Sequence, residues 1–215
     1  MSTDLYSLAG DFFLHPTPAG AYFAASRPSR EPARVFLQRL LREAETPRLQ
    51  VELVQAWMGM SASDALEFIY RLQSAGLVQG LPVPVSVPPD SVEALLPPLL
   101  AQLAEDGRAL LADKRGLYLG TAGFVHEAAE ELAALGADLA RVHARHSQML
   151  HGNLRLRGDG WGLVAANGAS ELGFWPLYMG DEYFILILTG APRFNQEAFT
   201  TLMWTLGVRY GGNAE

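Results

Sequence analysis

The chain has 215 residues, 49% of them hydrophobic, which is enough apolar surface for one large domain or two small ones without covalent staples. It contains no cysteine, and this excludes a disulfide framework and any thiolate metal site. Its formal charge of −7 divides as seven arginines against eight acids in residues 1–85 and nine bases against fifteen acids in residues 86–215, so neither half has the basic excess that phosphate-driven nucleic-acid binding needs. Asp4 stands where a secretory leader would be positive, and the apolar run at 183–188 is far too short to span a bilayer. A cytoplasmic protein with no membrane span is expected. Only Lys114 among the 16 basic residues is lysine, a bias typical of GC-rich bacterial genomes.

Phe12, Phe13 and Leu14 form an apolar patch that His15-Pro16-Thr17-Pro18 breaks; residues 21–25 are predicted as a short strand and 27–30 as a loop. Residues 31–44 are amphipathic through Val35, Phe36, Leu37, Leu40 and Leu41, with Pro32 suited to a first helical turn. A second helix, 49–58, stops at Gly59; Ser61 caps a third, 62–75, which stops at Gly76. An extended, β-prone run covers 77–87. Three helices with a tight turn and then a strand pair resemble a winged helix-turn-helix domain, placed over residues 1–85. A DNA-binding regulator is therefore the alternative functional reading. The third helix weighs against it, because its solvent side carries Ser63, Asp64, Glu67, Arg71 and Ser74, two acids against one base. The arginines between positions 27 and 48, among them Arg34, Arg39 and Arg42, lie elsewhere and are candidates for contact with an acidic protein partner.

Prolines at 82, 84, 88 and 89 mark the expected boundary, a linker at 86–90 between the two domains. A helix begins at Asp90-Ser91 and meets Pro97-Pro98, which should kink or restart it before Gly107. Apolar runs at 109–112 and 117–119 flank Asp113-Lys114-Arg115-Gly116, a hairpin pattern. A long helix follows at 126–146. At 100° per residue, Leu132, Leu135, Leu139 and Val142 form one stripe, expected to cover a sheet, while acids and arginines hold the opposite side. Between them Ala133, Ala137, Ala140 and Ala144 form a stripe of small side chains, a candidate contact with a second copy of the chain. Residues 154–157 and 161–166 are strand candidates around Gly158-Asp159-Gly160. Strands at 172–179 and 183–189 flank Gly180-Asp181-Glu182, and 195–208 is a closing helix.

The D-x-x-G-L-like turn (Asp113, Gly116, Leu117), the strand end Thr121-Ala122-Gly123 and the alanine- and leucine-rich helix together resemble the roadblock / dynein light chain family over about residues 91–212. The resemblance implies an α+β, profilin-like domain in residues 91–215, with the order helix, two strands, helix, three strands, helix. It also implies a homodimer with central helices side by side and an edge strand from each subunit, here 161–164 with Trp161 and Leu163. The role it implies is that of a non-enzymatic platform regulating a Ras-like small GTPase. Nothing in the sequence points to catalysis or a cofactor. There is no nucleophile elbow, no phosphate-binding glycine loop, and no acid among the histidines His143, His146 and His151, which are therefore read as structural and not as a metal site.

Overall fold

Thr17 and Pro18 start the first helix of the computed structural model, which describes residues 6–8 and 10–212. The Thr17 hydroxyl accepts from the Gly20 N–H at 3.0 Å, and Pro18 occupies a first-turn position where no N–H is needed. Residues 21–25, expected as a strand, therefore belong to α1 (Pro18–Ala25). The strand lies just before it: β1 (Phe13–Pro16). Then come α2 (Pro32–Leu40), α3 (Val51–Met58) and α4 (Ala62–Ser74), the last capped by Ser61 accepting from the Asp64 N–H at 3.2 Å. From the extended run after α4, β2 (Val78–Leu81) forms, and it pairs antiparallel with β1, Phe13 opposite Leu81. The proline-rich stretch beyond it is fastened to residues 44–46, Val87 N–H donating to Ala44 C=O at 2.9 Å and Thr46 N–H to Val85 C=O at 2.9 Å.

From Ser91 onward the elements are α5 (Val92–Leu103), β3 (Ala109–Asp113), β4 (Tyr118–Ala122), α6 (His126–Ser147), a π-helical turn (Gln148–Asn153), β5 (Trp161–Val164), β6 (Ser170–Met179), β7 (Glu182–Thr189) and α7 (Glu197–Tyr210). Pro97 and Pro98 do not restart α5, which passes through both as one helix. Residues 154–157, a strand candidate in the sequence, carry no strand. The five strands form one antiparallel sheet in the order β4-β3-β7-β6-β5. At the β3–β4 turn the Asp113 carboxylate accepts from the N–H groups of Arg115 and Leu117, both at 2.9 Å. Gly116 supplies the positive φ of 88° that this turn needs.

Helix α6 lies on one face of the sheet; α5 and α7 lie on the other, where Ala109, Leu111, Leu186 and Leu188 join Leu96, Leu100, Leu103, Phe199 and Leu202 in a core. That core continues without a break into Leu14, Phe36, Leu37 and Leu41, since α1 packs on α7 and β6. Two aromatic contacts and a hydrogen bond fix this junction: Tyr22 stacks on Phe194 at 5.4 Å, Trp175 meets Phe194 edge-on at 5.4 Å, and the Trp204 indole N–H donates to Glu43 C=O at 2.6 Å. Gly207 lets α7 approach the Leu41 carbonyl so closely that a side-chain carbon there would overlap it.

Candidate functional site

The face that α6 turns to the sheet is the alanine stripe, and not the leucine stripe. Ala129, Ala133 and Ala137 are buried with Leu110, Ala112, Phe174, Ile185 and Ile187. Leu132 and Leu139 pack at the flank, and Leu135 is 45% exposed. The reason is distance: small side chains let the helix settle onto the two isoleucines, and a carbon added at Gly136 would lie 3.1 Å from Ile187 Cδ1. This corrects the expected dimer contact. Ala133 and Ala137 are covered by their own sheet; Ala140 is half-buried beside them, and Ala144 alone of the four is exposed.

The expected edge strand does lie at an edge. Among the described residues β5 is the last strand of the sheet and pairs only with β6, Trp161 opposite Phe174 and Leu163 opposite Leu172. Leu163 is 62% and Val164 65% exposed. Met149, Leu154 and Leu156, which lead into this strand, are also exposed. Single exposed apolar residues are ordinary; five within sixteen residues, leading into and along an edge strand, are not.

Among the three arginines proposed as partner contacts, Arg34 is spent inside the fold. It is buried, donates from Nε to Ser29 Oγ at 2.9 Å and from Nη1 to Ser26 Oγ at 3.3 Å, and stacks 4.4 Å over the Phe23 ring. Arg39 donates to the Trp57 carbonyl. Arg42 and Arg39 both line a cleft of about 940 Å³ whose other wall holds Asp181 and Glu182. On α4 the single base, Arg71, is paired with Glu67 one turn away, so its exposed side offers no free cation.

A cavity of about 550 Å³ opens between the C-terminal half of α6 and the β6–β5 side of the sheet. Its walls are apolar and aromatic, with Leu139, Ala140, Phe174, Pro176 and Ile185 among them, and Arg27 to Ser29 closes one side. Alternation along β6 sends Phe174, Pro176 and Tyr178 into it and Trp175, Leu177 and Met179 to the opposite core. Its polar end gathers His143, His151, Asp159 and Trp161. His143 and His151 meet Nε2 to Nε2 at 3.1 Å, His151 Nδ1 lies 2.9 Å from Leu156 C=O, and the Trp161 indole N–H points at His143 Nδ1 at 3.1 Å. A donor at His143 Nδ1 fixes the tautomers in series. His143 carries its proton on Nε2 and donates to His151 Nε2, and His151 donates from Nδ1 to the carbonyl.

Asp159 completes the group, with Oδ1 3.4 Å from His151 Nε2 and its side chain only 8% exposed. Its buried Oδ1 has no hydrogen-bond partner. The negative charge is felt nearby: Tyr178 is pushed up to about 12, first by burial and then by Asp159 and Tyr183. His146, grouped with the other two in the sequence, points to solvent from α6 and is not part of the cluster. The acid missing from the histidines in the sequence thus arrives through the loop before β5.

No protein-family model matches the chain, and no curated protein does. Among solved structures it is similar to a roadblock/LC7 domain from Streptomyces avermitilis, at 16% identity and a TM-score of 0.39, over 56% of this chain and 96% of that one. It is also similar to MglB from Myxococcus xanthus, at 15% identity and a TM-score of 0.31, over 54% of this chain and 87% of that one. At identities and scores this low, no function transfers with the likeness.

Proposed function

We propose that the protein is a non-enzymatic interaction platform that acts as a homodimer, with a second copy joined through β5. The observation that carries this reading is the exposure of Leu163 and Val164 on a strand with one unpaired edge. Such an edge is a template for another strand. A two-fold pairing of β5 with its counterpart would satisfy the free backbone groups and cover both apolar side chains at once. A stable association would cover roughly 800 Å² per partner. The finer assignment, regulation of a Ras-like small GTPase, rests on the sequence resemblance to roadblock proteins, and the half-free Arg39 and Arg42 remain candidate contacts with an acidic protein surface.

Light scattering at tens of micromolar tests the dimer. Wild type should have twice the chain mass, and Leu163→Arg should be a monomer with unchanged circular dichroism. A monomeric wild type would sink the platform reading. A dimer indifferent to Leu163→Arg would move the interface away from β5.

A further inference from the structure

We propose that His143, His151 and Asp159 form a binding site for a divalent transition-metal ion, with Zn²⁺ the best match, and that its open coordination position faces the 550 Å³ cavity. The inference stands apart from the platform reading and needs no partner. One ring nitrogen from each of His143 and His151 and one Asp159 oxygen lie within 4.8 Å of one another. Two of the separations are those of ligands already placed around an ion. With bonds of about 2.0–2.1 Å, neighbouring ligands of a tetrahedral zinc are about 3.3 Å apart. The two imidazole nitrogens are 3.1 Å apart, and His151 Nε2 is 3.4 Å from Asp159 Oδ1.

The second observation is independent of spacing. Among the described residues Asp159 Oδ1 is buried and accepts no hydrogen bond, while His151 Nε2, 3.4 Å away, already receives the His143 proton. A lone pair facing a carboxylate is repulsive, and a buried unpaired carboxylate is costly. A cation between the three groups removes both penalties. The surroundings suit one ligand already: His151 donates from Nδ1 to the Leu156 carbonyl, the outer-shell partner that orients a histidine bound through Nε2. Two imidazoles and one carboxylate favour a borderline ion such as Zn²⁺ over Ca²⁺ or Mg²⁺, which want oxygen alone. Three protein ligands leave one position free, the arrangement of a site that binds a further ligand.

One group opposes binding, and it supplies the sharpest test. An ion on His143 Nε2 puts the ring proton on Nδ1, where it faces the Trp161 indole N–H. Metal uptake must therefore turn Trp161 away. Removing that donor should strengthen the site.

The experiment is isothermal titration calorimetry with ZnCl₂ on tag-free protein stripped of metal by chelator, beside Asp159→Asn, His151→Ala and Trp161→Phe. Wild type should take up one ion per chain. Loss of an orienting group alone costs metal sites about 10–100-fold in affinity, so loss of a ligand in either of the first two variants should cost at least about 100-fold. Trp161→Phe should bind more tightly than wild type, and Zn²⁺ should change the emission of wild type more than that of Trp161→Phe. Asp159→Asn is nearly isosteric, which keeps the test valid should His151→Ala fold poorly. No stoichiometric uptake by wild type, or uptake that Asp159→Asn leaves within about threefold, would overturn the assignment.

Discussion

Substituting Ala137 by glutamate separates two readings of α6 that the sequence alone leaves side by side. If the alanine stripe were a dimer contact, the variant would be a folded monomer. In the structure Ala137 is 1% exposed and sits under the sheet with Leu110, Ala112 and Ile185. A carboxylate placed there has no cation among these neighbours. Its burial costs several kcal/mol even after relaxation, about 3–5 kcal/mol against a total stability on the order of 5–15 kcal/mol. For a chain of this size about 1 kcal/mol moves the midpoint by roughly 2–4 °C, so a fall of about 6–20 °C is expected. Leu163→Glu, at a position 62% exposed, should stay within about 0.5 kcal/mol of wild type while changing the mass in solution. Thermal unfolding followed by circular dichroism, with light scattering on the same samples, measures both. A folded Ala137→Glu protein with a wild-type midpoint would refute the placement of this face.

Arg34→Ala should destabilise by about 2–3 kcal/mol in urea unfolding, because it removes the stack on Phe23 and leaves Ser26 and Ser29 without their donor. Gly207→Ala should cost about 1–3 kcal/mol by the same measurement, since the new carbon meets the Leu41 carbonyl and neither helix can retreat without opening the core. Asp106 is held at about 2, below its ordinary 3.8, chiefly by the hydrogen bond from Thr189, against slight burial and with help from Arg108. A lowered carboxylate stabilises the fold above its unfolded value and loses that contribution as pH falls through the folded one. Thr189→Val should therefore be less stable than wild type near neutrality, and the difference should shrink between about pH 4 and pH 2, the span bounded by those two values. A difference that persists unchanged to pH 2 would assign the effect to packing.

The α+β class and the alternation along β6 were legible because each rests on a local pattern that the fold preserves. Phe174 and Trp175 separate to opposite faces as period two requires, and Asp113 to Gly116 makes the expected turn. The orientation of α6 was not legible. Periodicity finds stripes, but it does not tell which of two adjacent stripes faces the sheet. Here the larger side chains lost to the smaller ones because Ile185 and Ile187 already fill the space between helix and sheet. Hydrophobicity argues for leucine inside, while close packing argues for alanine, and the sheet decides. The 21–25 segment misled in a related way: its run of alanines and aromatics fits a strand, yet Thr17 and Pro18 just ahead of it form a helix start that outweighs the composition.

The polar end of the cavity shows a limit of a different kind. His143 belongs to a helix and its position follows from the helical period, but His151 lies in a π-helical turn and Asp159 in irregular chain eight residues further on. No spacing rule links residues across such a stretch. Gly158-Asp159-Gly160 has the composition of an exposed turn, and a turn aspartate belongs in water. What overrides composition is the pairing that follows it in the chain. β5 pairs with β6 through Trp161 opposite Phe174, and two residues before Trp161 the Asp159 side chain lines the cavity. An aspartate side chain only 8% exposed, whose Oδ1 has no hydrogen-bond donor among the described residues, breaks the local rule that turn composition sets, and such breaks concentrate at sites of function.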